Sequence, residues 1–198
     1  MKFVLATQNP KKLTEMSAIL SDLGVEVVSE ADLGVKVEVE ETGETFAENS
    51  LLKAKAVMEA TNLPAIADDS GLCVDALNGG PGVYSARFGG EGLDDTGRYR
   101  LLLQMLHGQA DRRAHFHTTI TCAFPNGDVL QDDGEVEGTI AFAPMGENGF
   151  GYDPVFFVPD KRKTFAQLTA EEKAEISHRG KALRAFKETL KNYLAEHQ

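Results

Sequence analysis

The chain has 198 residues, 42% of them apolar, and a formal net charge of -11. That length and apolar content suit a single folded domain spanning the chain and exclude a disordered one. The negative field argues against a nucleic acid polymer or an anionic membrane as partner, and a small polyanion would need a metal ion or a focused set of cations to bind.

Cys73 and Cys122 lie far apart without metal-type spacing, and read as small core residues of a cytosolic protein. The apolar start, Met1 to Ala6, is too short for the core of a signal peptide. No apolar run approaches bilayer length, so the expected location is the cytoplasm.

Phe3 to Ala6 reads as a buried first strand. After the loop Thr7-Gln8-Asn9-Pro10-Lys11-Lys12, Leu13, Met16, Ile19, Leu20 and Leu23 mark one face of a helix that Gly24 closes. Asn9 is the candidate N-cap, and Pro10 suits the first turn. Free amides at such a helix start attract phosphate, and Lys11 and Lys12 add positive charge. The glycines of a P-loop are missing, so this is not one, and a plainly solvated helix start is the alternative.

Val25 to Val28 and Val35 to Val39 read as further strands, the second ending in Glu40-Glu41-Thr42-Gly43. Thr45 to Glu48 is a capping box, opening a helix with Phe46, Asn49, Leu52, Ala56 and Ala60 at helical spacing. That helix should end near Asn62, before Pro64. Pro64 to Ala67 then reads as a short buried strand that stops at Asp68-Asp69-Ser70-Gly71 and delivers two acids to the rim of a sheet. Two acidic pairs at two strand ends could hold one Mg²⁺. An ordinary strand-to-turn junction is the competing reading.

Leu72 to Ala76 continues as extended chain, Asn78 to Gly82 reads as a flexible connection, and Val83 to Phe88 is of uncertain type. Asp94 and Asp95 start a helix with Leu101, Leu102, Met105 and Leu106 as its buried face, ended by Gly108. Ala114 to Phe124 alternates, with Phe116, Thr118, Ile120, Cys122 and Phe124 on one side and His115 and His117 on the other. The two histidines read as solvated or hydrogen-bonded rather than as ligands. Pro125 to Asp128 is a hairpin turn, and Val129 to Ile140 is the return.

In Gly146 to Pro154, glycines permit close backbone approach and two aromatic rings offer stacking faces. Val155 to Val158 is an apolar strand. Thr169 to Glu172 is a second capping box, opening a short helix that carries Lys173. Ser177 caps a last helix with the stripe Ala182, Phe186, Leu190 and Leu194. His178 and Arg179 at its start oppose the helix dipole, by ~0.3–1 kcal/mol, which suggests a job outside the helix.

Six short stretches, in this order, resemble the inosine/xanthosine triphosphate pyrophosphatases nearly end to end. They are Thr7-x-Asn9-x-x-Lys12, Glu40-Glu41-Thr42-Gly43, Ala67-Asp68-Asp69-Ser70-Gly71, Pro81 to Arg87, Phe150-Gly151-Tyr152-Asp153-Pro154 and Ser177-His178-Arg179-Gly180. The resemblance implies an α/β fold with a central mixed, curved sheet flanked by helices. It also implies two lobes with the active site in the cleft between them, and a homodimer. The implied reaction is Mg²⁺-dependent hydrolysis of a non-standard purine nucleoside triphosphate to the monophosphate and pyrophosphate.

By the same resemblance Thr7, Gln8, Asn9, Pro10, Lys11 and Lys12 form the triphosphate cradle. Asp69 is general base and metal ligand. Glu40 is the second acid at the metal, with Glu41 the alternative. Ser70 touches substrate. Phe150, Gly151, Tyr152, Asp153, Lys173, His178 and Arg179 form the nucleobase and sugar pocket. Gln8 stands where many relatives carry glycine, a change of little consequence if the loop there has negative φ.

The residue types suit that chemistry. Positioning and charge neutralisation dominate phosphoryl transfer, and a carboxylate must deprotonate the water. Donors such as Lys173, His178 and Arg179 would pair with the 6-oxo group of hypoxanthine or xanthine. Adenine would leave them unpaired, at ~1–3 kcal/mol per group. Guanine shares the 6-oxo group and must be rejected through its 2-amino group. Two other readings are a non-catalytic purine-nucleotide-binding module and a phosphatase with an Asp nucleophile.

Overall fold

The computed structural model describes residues 1–198. Its elements are β1 (Lys2–Leu5), α1 (Pro10–Leu20), β2 (Glu26–Ser29), α2 (Phe46–Thr61), β3 (Ala65–Val74), β4 (Gly80–Pro81), α3 (Asp95–Met105), β5 (Arg113–Ala123), β6 (Val129–Ile140), β7 (Phe156–Val158), β8 (Lys163–Thr164), α4 (Ala170–Ile176) and α5 (His178–Glu196). The eight strands form one mixed sheet in the order β2-β1-β3-β5-β6-β7-β8, with β4 paired to β3. β1 runs parallel to β2 and β3, whereas β3–β4, β6–β7 and β7–β8 are antiparallel.

The chain divides into two compact units. The first comprises Met1–Asp69, Thr118–Gly134 and Ala182–Gln198. Its core joins Phe3 and Leu5 of β1, Met16 and Leu20 of α1, and Ala182, Phe186 and Leu190 of α5, the apolar stripes that helical spacing marked. The second comprises Ser70–His117 and Glu135–Lys181, around Leu102, Phe116, Tyr152, Phe156 and Phe165. Both cysteines are free and buried, as small core residues should be. No helix is long and apolar enough to cross a membrane.

Several local expectations are corrected. Val35 to Val39 forms no strand. Its alternate residues are half-buried, as period two suggests. The amides of Val35 and Val37, however, donate to the carbonyl and the carboxylate of Glu30, which leaves them unavailable to a ladder. β3 does not stop at Asp68 but runs on through Gly71 to Val74, almost wholly buried. The acids therefore sit inside a strand rather than beyond its end; strand pairing overrides the turn preference of Asp, Ser and Gly. Asn78 to Gly82 is a tight connection that returns as β4, with Cys73 opposite Pro81.

On α2 the buried residues are Asn49, Ser50, Ala54 and Val57, one turn-edge away from the stripe the spacing suggested, and Leu52 is exposed. Small residues face inward because Ala54 packs against Ala67 and Ala123. Its capping box is half-formed: Thr45 caps Glu48, but the Glu48 carboxylate takes the amide of Glu44. Leu102 and Leu106 of the α3 region are buried and Met105 is not. Beyond His117, β5 is buried on both faces, so its alternation holds only for the first half.

Gly138 in β6 is forced by crowding. A Cβ there would meet the Phe157 carbonyl oxygen at 2.5 Å and the Phe156 ring at 2.8 Å. Gly138→Ala is expected to lower stability by roughly 1–3 kcal/mol in urea unfolding, with the midpoint displaced and the slope unchanged.

Candidate active site

In the first unit, Thr7 follows β1 and starts the expected cradle. Thr7 Oγ1 accepts the amide of Asn9 at 3.1 Å, and Asn9 Oδ1 caps α1 by accepting the amide of Lys11 at 3.0 Å. Pro10 opens the helix as expected. Gln8 is not among the residues with positive φ, so the loop tolerates it in place of glycine. Lys11 is exposed. Lys12 turns inward, its Nζ 2.9 and 3.1 Å from the two carboxylate oxygens of buried Asp68. Two hollows, of about 410 Å³ and 200 Å³, share Thr7 and Gln8 as walls, and Lys53 borders the smaller.

Asp69 is the most unusual acid of the set. It is 8% exposed, and its Oδ2 has no hydrogen-bond partner. Burial is the main force pushing its carboxyl up to about 6; Lys53 opposes this, and Glu41 adds to it more than the adjacent Asp68 does. Asp68 is instead neutralised by Lys12, so the two neighbours play different electrostatic parts. Of the two glutamates, Glu41 shares a cation with Asp69: Lys53 Nζ lies 3.0 Å from Glu41 and 3.7 Å from Asp69. Glu40 is exposed.

The oxygen-only donors and the open Oδ2 fit a hard divalent cation. No group of three or more His, Cys, Asp or Glu side chains converges as a cage. Protein oxygens would thus supply only part of the coordination shell, which is how Mg²⁺ is usually held beside a phosphate ligand. His117 is hydrogen-bonded to Glu135 at 2.7 Å, as read, and His115 Nε2 lies 3.7 Å from the same carboxylate, beyond hydrogen-bond distance.

Lys53 escaped the sequence reading. The available signal was its place four residues after Asn49, which puts two polar groups on the inward side of α2. Both side chains serve the acidic segment: Asn49 Oδ1 accepts the Gly43 amide at 2.8 Å, and Lys53 donates to the Asp68 carbonyl at 2.6 Å.

In the second unit, the loop Phe150-Gly151-Tyr152-Asp153 is pinned from several sides. The Asp153 carboxylate accepts the Phe150 amide at 3.1 Å and Lys173 Nζ at 2.5 Å. Gly151 donates to Asp95, and the Tyr152 hydroxyl donates to the Ser85 carbonyl at 2.6 Å. Burial pushes the Asp153 carboxyl up, against Lys173, which pulls it down. Phe150 itself is exposed, with Lys173 Nζ 4.8 Å from its ring centre. The ring of His178 lies face-on over Phe116, at 4.7 Å and 13°. Arg179 follows it in the first turn of α5, half-buried, and Ser177 caps that turn through the Gly180 amide. Ser70 is the half-buried residue after Asp69 in β3.

A family model described as the Ham1 family matches residues 3–189. The chain belongs to the Ham1 family. It is 51% identical over 193 residues to a protein of Thermus thermophilus named dITP/XTP pyrophosphatase, covering 97% of this chain and 93% of that one. It is 47% identical to a protein of the same name from Bacillus subtilis, covering 94% and 96% of the two chains. Among solved structures, the Staphylococcus aureus Ham1 protein matches with a TM-score of 0.92 at 43% identity, covering 98% of this chain and 100% of that one. The Coxiella burnetii HAM1 protein matches with a TM-score of 0.93, also at 43% identity, over 97% and 99%. Family and mixed α/β fold thus agree with the resemblance drawn from the six stretches.

Proposed function

We propose that the protein hydrolyses non-standard purine nucleoside triphosphates (ITP, dITP and XTP) to the monophosphate and pyrophosphate, removing them from the nucleotide pool. The observation that carries the reading is the buried Asp69, with one open oxygen, beside Glu41 and Lys53 and one residue from the Asp68–Lys12 pair. The relatives of Thermus thermophilus and Bacillus subtilis named dITP/XTP pyrophosphatase support it.

In this reading Lys12 and the α1 amides hold the triphosphate, with Thr7, Gln8, Asn9, Pro10 and Lys11 shaping the cradle. Asp69 takes the proton of the attacking water, a task for which its buried carboxylate with one open oxygen is placed. Glu41 takes the place at the metal that the resemblance gave first to Glu40. A bound Mg²⁺ would supply charge neutralisation on the phosphate oxygens and a more acidic water. Ser70, Phe150 to Asp153, Lys173, His178 and Arg179 meet the base and sugar, with Phe150 as a stacking face worth ~1–3 kcal/mol. We also propose a homodimer and a cytoplasmic location.

Incubation with Mg²⁺ and a panel of ITP, dITP, XTP, ATP and GTP is expected to convert the first three to monophosphate and pyrophosphate. ATP should lag by at least tenfold, because adenine leaves the half-buried donors Lys173, His178 and Arg179 unpaired. Orthophosphate release, or equal turnover of ATP, would overturn the reading. Tight nucleotide binding without any turnover would favour the non-catalytic module.

A further inference from the structure

We propose that Lys53 is the built-in counter-ion of the Glu41–Asp69 pair and weakens its hold on a divalent cation while no nucleotide is bound. The inference rests on the reading that these two carboxylates hold the metal. Lys53 Nζ lies 3.0 Å from Glu41 Oε1 and 3.7 Å from Asp69 Oδ1. It also donates to the Asp68 carbonyl oxygen at 2.6 Å. Its one hydrogen bond is to that carbonyl, while the two carboxylates hold it as ion-pair partners. The carbonyl matters most, because it is neutral and belongs to the backbone of β3. It anchors the ammonium whether or not the carboxylates are occupied elsewhere, and the side chain is only 22% exposed.

A divalent ion taking both carboxylates would therefore sit within a few ångströms of a fixed positive charge. At the dielectric of a half-buried site, that repulsion weakens metal affinity by roughly tenfold or more. A triphosphate brings compensating negative charge, so metal and nucleotide bind better together than either does alone. Lys53 is a positioning residue here, acting through the carboxylates.

The test is calorimetric titration of nucleotide-free protein with Mn²⁺. Lys53→Met is expected to bind Mn²⁺ roughly tenfold tighter than the native protein, and Lys53→Arg to bind like the native protein. If the Met variant does not fold, Lys53→Gln, which retains a donor for the Asp68 carbonyl, carries the same expectation. Asp69→Asn is the control. If it loses Mn²⁺ binding while Lys53→Met binds no tighter than native, the role of Lys53 is overturned and the metal reading stands. If Asp69→Asn binds as well as native, or no variant binds Mn²⁺ at all, the metal reading fails and takes this inference with it.

Discussion

Asp69→Asn is expected to remove most turnover and, at the same time, to make the metal-free protein more stable at pH 7. With Asp69 in its proposed role as the base, its loss should cost roughly 10²–10⁴-fold in kcat. The stability gain follows from the buried carboxyl. In the folded protein it titrates at about 6. In the unfolded chain it returns to about 4. Between those values the folded state keeps a proton that the unfolded state has lost. Stability from this group is therefore highest at low pH, falls as pH rises through that window, and stays low above it. The penalty at neutral pH is ~3 kcal/mol at most, and Asn, which carries no charge, should recover about 1–3 kcal/mol. Melting in the presence of a chelator should place the variant above the native protein at pH 7 and level with it near pH 4. Equal melting at pH 7 would show that the Asp69 charge carries no folding penalty.

Lys173→Met should act in the opposite direction. Asp153 is 4% exposed, and Lys173 is its cationic partner, at 2.5 Å. Removing the ammonium strands a buried carboxylate, which typically costs ~3–5 kcal/mol. The same carboxylate holds the Phe150 amide, so the loop should loosen and, on the proposed stacking role of Phe150, KM for ITP rise. The double variant Lys173→Met with Asp153→Asn removes both charges and should regain most of the stability in urea unfolding. KM should stay raised, because the ammonium beside the Phe150 ring is gone. A single Met variant as stable as native would mean that Asp153 is already protonated in the fold.

These expectations depend on particular residues whose roles were unevenly legible in the chain. The start of α1 was readable because its signals are local: Asn9 is the N-cap and Pro10 sits in the first turn. The last helix was readable for the same reason, since the stripe Ala182, Phe186 and Leu190 repeats at helical spacing and is fully buried. Asp69 stood out as an acid after an apolar run, but the course of the backbone around it did not. Asp68 to Gly71 carry turn chemistry, yet they continue β3 because pairing and burial there outweigh local preference. Val35 to Val39 failed the other way: the pattern was right, but its amides were bound by Glu30.

Residue order and local chemistry alone thus determined the family, the mixed α/β class and the caps that open α1 and α4, and they nominated site side chains without Lys53. Those properties depend on neighbours within about one helical turn or on motif order. Only the tertiary structure decided which charges meet. It joined Lys12 to Asp68, and Lys53 to Glu41 and Asp69, across separations that no periodicity encodes. The reason is electrostatic as well as geometric. A carboxyl's proton affinity depends on how deeply it is buried and on the cations beside it, and both are properties of packing rather than of sequence.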